Sequence, residues 1–399
     1  MTMDEHLGES TSCAAKPDRA RPTEADVMAV LSRVVDPELG VDIVELGMVQ
    51  KVGVAGGHVE VQIALTIAGC PLRAQIRDDA RNRISALPGV DEVQIHFGEL
   101  SAAQRTQVMQ RARLKASLNA PATEIAASTR ILAIASGKGG VGKSSITCNL
   151  AAALAAEGYT VGVLDADIWG FSVPRMLGVE DRLAAKDGMI EPAERPVGRG
   201  LLKVVSMGLV VENEGTAIMW RGLMLAKAVE EFLTKVRWGE MDYLVIDMPP
   251  GTGDVQMALG RLLPRAEMLI VTTPALAAQK VAARVADMAR RSYLRVLGVI
   301  ENMTAFECEH GEVYALFGSG GGARLAADVD SELVAQIPLR PSISAGGDAG
   351  EPAALGGTDP EFAALAKRIV ADLAPPIVMD GCSARLVRAM EAAAGPSVA

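Results

Sequence analysis

The 399-residue chain is poor in aromatics (3 Trp, 4 Tyr, 6 Phe), holds only five cysteines, and has no excess of basic charge. Lys and Arg total 39 against 49 Asp and Glu, a formal net charge of −10. That balance argues against a general nucleic-acid binder, which needs a basic face. No apolar run approaches the roughly 18 residues of a membrane-spanning helix, and the polar N-terminus has no signal-peptide core. Cys13, Cys70, Cys148, Cys308 and Cys382 lie scattered. This points away from a disulfide framework and towards a cytoplasmic location. What is present is a chain 49% hydrophobic, able to bury a large core and long enough for two domains.

The most informative stretch is Gly137-Lys138-Gly139-Gly140-Val141-Gly142-Lys143-Ser144. It satisfies G-x-x-x-x-G-K-S/T, in which backbone N–H groups cradle phosphates and glycines let the backbone approach them. Lys143 is then the residue that neutralises the β- and γ-phosphates of ATP, and the Ser144 hydroxyl sits on Mg²⁺. Gly137, Gly139 and Gly142 also fit G-x-G-x-x-G, and Asp165 lies on the order of 20 residues on, where a dinucleotide site has its ribose-binding acid. Lys143-Ser144 and a later acidic loop, neither of which that site requires, favour the phosphate loop. Lys138 is an additional cation inside the loop, readable as a second phosphate contact in the same chain or as a solvent-facing residue.

The context is strand, loop, helix. Residues 130–136 form a short apolar run, and residues 145–157 have helical spacing that stops at Gly158. This order puts the phosphates at a helix N-terminus. Strands over 159–164 and 241–246 end in Asp165-Ala166-Asp167 and in Asp247, which opens the loop 247–254. Ligands of open α/β sheets bind at the carboxyl ends of strands, so both acidic clusters should face the nucleotide. Asp247 is the expected Mg²⁺ partner and Asp167 the candidate to position the attacking water, with Asp165 supporting; solvated loop aspartates are the alternative. Prolines 249 and 250 followed by Gly251-Thr252-Gly253 suit a loop that senses the γ-phosphate.

The predicted fold is α/β, a P-loop NTPase with a mostly parallel sheet flanked by helices, preceded by a small α+β domain. Its expected boundaries are a tail at 1–22, the α+β domain at 23–99, a basic helix and linker at 100–128, the ATPase domain at 129–375 and a tail at 376–399. In the front domain, helices are expected over 25–34 and 72–87 and strands over 59–66 and 90–97, with a basic helical stretch at 103–116. A strand over 296–300 should precede Asn302, which by itself reads as a turn residue.

The Gly-Lys-Gly-Gly-Val-Gly-Lys-Ser loop resembles that of the MinD, ParA and nitrogenase-iron-protein branch of P-loop ATPases. Within that branch, residues 165–174, Ser206-Met207-Gly208, Trp220-Arg221-Gly222, residues 247–254 and Glu301-Asn302-Met303 resemble the Mrp/ApbC family. Residues 317–322 and 337–339 fit as well, and Asp36-Pro37-Glu38 with residues 66–71 resembles a small iron–sulfur assembly domain. The resemblance spans roughly residues 24–370 and implies an iron–sulfur cluster carrier ATPase serving apoproteins and scaffold proteins. It implies a homodimer with two ATPs between the subunits, Lys138 crossing to the partner's phosphates, slow Mg²⁺-dependent hydrolysis with Lys138, Lys143 and Asp167 as the catalytic set, and Asn302 near the adenine. Nucleic acid and membrane are not expected partners.

The metal site departs from the family pattern. Such proteins carry C-x-x-C after the Glu-Asn-Met strand, so that two subunits supply four thiolates to a labile cluster, with [4Fe–4S] the expected type. Here Cys308 matches the first ligand and Gly311 stands at the second. Cys308 with His310 from each subunit would give a mixed set, since imidazole can replace thiolate, and Cys70 is a further candidate. Away from the resemblance each cysteine reads as a small buried hydrophobe, the reading taken for Cys13, Cys148 and Cys382. Two other functions compete. A positioning ATPase of the ParA/MinD kind needs a surface-binding segment, and residues 383–394 are short and lack aromatics. A nitrogenase-like electron donor needs a pair of cysteines at a recognisable spacing.

Overall fold

A computed structural model describes residues 21–36, 41–65, 73–118, 120–168, 170–210, 222–292, 294–308, 310–356 and 359–377. The chain divides into two compact units between Lys115 and Ala116. Cys13, Cys70 and Cys382, residues 1–20 of the expected tail at 1–22, Trp220, Arg221 and the segment 383–394 lie outside the described residues.

In the first unit α1 (Glu24–Leu31) starts where Thr23 and Asp26 satisfy each other's backbone N–H groups, a capping box that fixes the helix start. β1 (Val49–Ala55) and β2 (His58–Leu65) are joined by two glycines, and Gly56 at φ +66° supplies the left-handed turn. α2 (Arg73–Ser85) then crosses over to β3 (Glu92–Glu99), which pairs parallel to β2. Val59, Val61 and Ile63 alternate inward, in the same buried set as Val27, Leu31, Ile76, Ala80 and Ile84. α3 (Ala102–Leu118) is more than a linker, because Val108 and Ala112, one turn apart, are buried. Its Gln104 bonds Gln50 at 3.0 Å and its Lys115 pairs with Glu45 at 3.0 Å.

The second unit carries the phosphate loop. In chain order its elements are β4 (Arg130–Ser136), α4 (Lys143–Ala156), β5 (Thr160–Asp165), α5 (Val173–Met176), β6 (Ala184–Lys186), β7 (Met189–Glu191), β8 (Ala193–Val197) and β9 (Gly200–Ser206). There follow α6 (Gly222–Lys235), β10 (Tyr243–Asp247), α7 (Asp254–Leu262), β11 (Glu267–Thr272), α8 (Leu276–Arg291), β12 (Arg295–Glu307) and β13 (Val313–Tyr314). α9 (Gly321–Asp328), β14 (Leu333–Leu339), α10 (Pro341–Asp348) and α11 (Pro360–Arg368) complete it.

The main sheet runs β13-β12-β11-β4-β10-β5-β9-β8, with β14 also on β12. Only the β13 and β8 pairings are antiparallel. β4 explains why the apolar runs do not alternate. Its Leu132 and Ile134 enter one core cluster, and Ile131, Ala133 and Ala135 enter the other, so both faces of the sheet are covered. The other expected strands shift by at most two residues at their ends, and one departs further. β12 does not stop at residue 300 but runs on to Glu307, 13 residues in all. After Ile300 it still has partners in β14 and then β13, and those pairings carry it on. Among the described residues no helix is long and apolar enough to cross a membrane.

Candidate functional site

β4, β5 and β10 lie side by side, so the loops that leave their carboxyl ends converge. The phosphate loop follows β4. Gly137 is pressed against α8, where an added Cβ would stand 2.4 Å from the backbone of Val281 and Ala282. Gly140 and Gly142 turn the chain at φ +80° and +83°, conformations that a side chain disfavours. At Gly139 and Gly140 an added Cβ would meet nothing within 4 Å, which leaves room beside the backbone for phosphate. α4 begins at Lys143 with Gly142 as its N-cap, so the helix N-terminus points its free N–H groups into that space.

Lys143 is 6% exposed, and its Nζ lies 2.8 Å from Asp247 Oδ1 and 3.6 Å from Asp167 Oδ2. Ser144 Oγ donates to Asp247 Oδ2 at 2.5 Å. Thr147, one turn further along α4, also donates to Asp247 Oδ1 at 3.0 Å. The sequence reading passed over Thr147, although its helical spacing from Lys143 and Ser144 puts it on their face. Asp165 accepts hydrogen bonds from the Asp167 backbone N–H at 3.2 Å and the Ser206 hydroxyl at 3.0 Å. Burial, aided by the neighbouring Asp247 carboxylate, pushes the Asp165 carboxyl up to about 8. Burial also raises Asp167, against the pull of the Lys143 ammonium. Cys148 is buried in α4, where burial and the nearby carboxylates raise its thiol and keep it protonated and unreactive.

Lys143, Ser144, Asp165, Asp167 and Asp247 are thus brought together. Ser144 and Asp247 offer hard oxygens to one point, a donor set that suits Mg²⁺. Lys138 is exposed on the loop, and its carbonyl accepts from the Ser136 hydroxyl at 3.1 Å. Asn302 is neither a turn residue nor at a strand end. It lies within β12, 6% exposed, with Nδ2 donating to the Val141 carbonyl at 2.9 Å. Its amide therefore braces the phosphate loop from below, and a Cβ on Gly142 would fall 2.2 Å from that nitrogen. Next to it Met303 adopts φ +57°, a left-handed conformation unusual for its residue type. Glu301 anchors the strand on the other side, accepting from Gly322 N–H and Gln336 Nε2, each at 2.7 Å.

Cys308 is a half-buried free thiol where β12 turns into β13. Its N–H bonds the Glu312 carbonyl at 3.0 Å, and its carbonyl accepts from Gly311 N–H at 2.9 Å. Gly311 closes this turn at φ +80°, which gives a backbone reason for glycine at the position of the second cysteine. His310 is exposed on the same turn. Among the described residues no group of three or more His, Cys, Asp or Glu side chains is arranged to hold a metal, so Cys308 and His310 do not form a complete site within one chain.

Residues 127–374 match the family described as ParA, NUBPL iron-transfer P-loop NTPase. Residues 24–96 match a family described as iron–sulfur cluster assembly protein. An iron–sulfur cluster carrier protein of Mycobacterium bovis is 42% identical over 346 residues, covering 84% of this chain and 89% of that protein. One from Deinococcus radiodurans is 41% identical over 348 residues, covering 86% and 93%. The chloroplastic Fe–S cluster assembly factor HCF101 of Arabidopsis thaliana is 36% identical over 338 residues, covering 84% of this chain and 60% of that protein.

Proposed function

Since the chain belongs to the NUBPL-type iron-transfer P-loop NTPases, we propose that it is an ATP-hydrolysing carrier that binds iron–sulfur clusters and delivers them to apoproteins. One observation carries this reading. The phosphate loop after β4 and the Cys308 turn after β12 leave the same end of one parallel sheet, so nucleotide and cargo share a face.

On this reading Lys143 neutralises the β- and γ-phosphates of ATP, and Ser144 with Asp247 would hold Mg²⁺. The ion's contribution is to polarise the phosphoryl oxygens. Asp167, two residues beyond β5 and beside Lys143, orients the attacking water. Lys138 extends from the loop towards the phosphates of a second copy, as an arginine finger does. Its replacement by Ala should spare ATP binding and lower turnover by about 10³–10⁵. Support for a homodimer comes from Met257, Leu276, Val313, Tyr314, Leu316 and Phe317. These exposed large apolar side chains lie on segments that follow the carboxyl ends of β10, β11 and β12. Exposed apolar groups gathered at a functional face are the usual mark of a binding surface.

The cargo is a labile cluster, [4Fe–4S] by preference, held between two copies by Cys308 with help from His310 or Cys70. Scaffold proteins load it and apoproteins receive it in the cytoplasm, without nucleic acid or membrane. The test is anaerobic reconstitution with iron and sulfide, comparing wild type with Cys308→Ala by visible absorption and iron per dimer. A cluster present in wild type and lost in the variant is expected. No cluster in either, with ATPase activity intact, would return the protein to the positioning class.

A further inference from the structure

Asp247 ends β10, and residues 248–253 carry the chain from the acidic cluster to α7. Pro249 and Pro250 lack N–H donors, so this loop has little hydrogen bonding of its own to define it. One side chain does most of that work. Gln256, in the first turn of α7 and 0% exposed, donates from Nε2 to the carbonyls of Pro249 at 2.8 Å and Gly251 at 3.0 Å. Its Oε1 accepts from Gly253 N–H at 2.8 Å. A further tie leaves the loop. Gly251 N–H donates to the Ser136 carbonyl at 2.9 Å, and the Ser136 hydroxyl donates to the Lys138 carbonyl at 3.1 Å. Hydrogen bonds therefore run without a break from α7, through the loop after Asp247, to the backbone of Lys138.

A helix-capping role accounts for the bond from Gly253, because Gln256 is the third residue of α7 and its side chain reaches back to the N-cap N–H, the half of a capping box that a glycine N-cap allows. It does not account for the two bonds from Nε2. Packing does not require them either, since an apolar side chain of similar size would fill the same space at no desolvation cost. Both amide donors are spent on one loop, so neither is left for nucleotide.

We infer that Gln256 is a positioning residue for ATP turnover: it latches the loop after Asp247 in one conformation against Ser136 and so fixes the backbone from which Lys138 projects. This rests on the ATPase reading above. The experiment uses the full chain with Gln256→Leu and with Gln256→Glu, which keeps size and one acceptor but removes both donated bonds. Steady-state ATPase and equilibrium binding of ATP and ADP are measured on each.

Misplacing a catalytic group by an ångström costs about 100-fold, so kcat should fall about 10–100-fold in both variants while the ADP Kd stays within about twofold of wild type. If Gln256→Leu does not fold, Gln256→Glu decides. A Glu variant with wild-type kcat, or loss of ADP binding together with kcat, would overturn the latch, the second by making Gln256 a general structural element. A wild type that binds ATP without hydrolysing it sinks the ATPase reading instead. The ratio of ATP to ADP affinity then decides the latch, since a loosened sensor loop lowers that ratio and an unchanged ratio rejects it.

Discussion

The phosphate-loop cluster and the cysteine turn stand on the same end of one sheet, yet they are held by opposite means. At the first, Lys143 and Asp247 are almost wholly buried, and Asp247 is contacted by three side chains of α4. The phosphate loop itself is braced by Asn302 from below and by α8 behind Gly137. At the second, a two-rung antiparallel ladder supports an exposed turn that bears one thiol. Groups that must meet charge in a fixed geometry are over-determined. On the proposed carrier reading, the turn that takes up and releases a bulky cargo is left accessible, as low local stability at binding elements requires.

The strongest way to break this contrast is Lys143→Ala. It leaves the Asp247 carboxylate buried without its cation, which should cost about 3–5 kcal/mol. Chemical denaturation reads that loss, and nucleotide binding should disappear in the same sample. A wild-type denaturation midpoint would show that the cluster is not clamped as described. Next in size is a pair of glycines. Gly142→Ala meets both φ +83° and the Asn302 amide 2.2 Å away, so about 1–2 kcal/mol of backbone strain adds to a displaced brace. Gly139→Ala meets nothing within 4 Å and should keep wild-type stability while weakening ATP binding, because its methyl group stands between backbone and phosphate.

A third test uses pH. The Asp165 carboxyl is raised from 3.8 to about 8, so between those values the folded chain keeps a proton that the unfolded chain has released. Its stabilising contribution is complete below the lower value and is lost as pH rises through the upper one. The slope is at most about 1.4 kcal/mol per pH unit. Asp165→Asn, which stays neutral, should flatten the fall in thermal midpoint between pH 5 and 8, and an unchanged slope would assign it to another group. The smallest effect belongs to the turn. Gly311→Cys places a side chain at φ +80°, at a cost of about 1 kcal/mol, and should raise iron retained after reconstitution. If retention does not rise, a missing second thiol is not what limits the site.

The phosphate loop, the two acidic strand ends and the parallel core were legible in the sequence because each is local. A glycine pattern or a continuous apolar run announces itself within ten residues. Asn302 was not legible in the same way, since its partner Val141 is more than 150 residues away and only the pairing of β12 beside the loop brings them together. Ser136 and Gln256 look like ordinary small or polar residues in sequence, and their importance comes from backbone groups that they reach. Gly311 was legible only as a missing cysteine. Its positive φ, invisible to a motif, supplies the backbone reason.

β12 carries a last consequence. Asn302, which grips the phosphate loop, and Cys308 are six residues apart on one strand and its turn, which at about 3.3 Å per residue is no more than ~20 Å of chain. The brace of the phosphate loop and the thiol are thus moored to the same length of backbone. No linker lies between them whose slack could be taken up or whose domain could swing away. The separation of phosphate loop and thiol is inherited as a single piece.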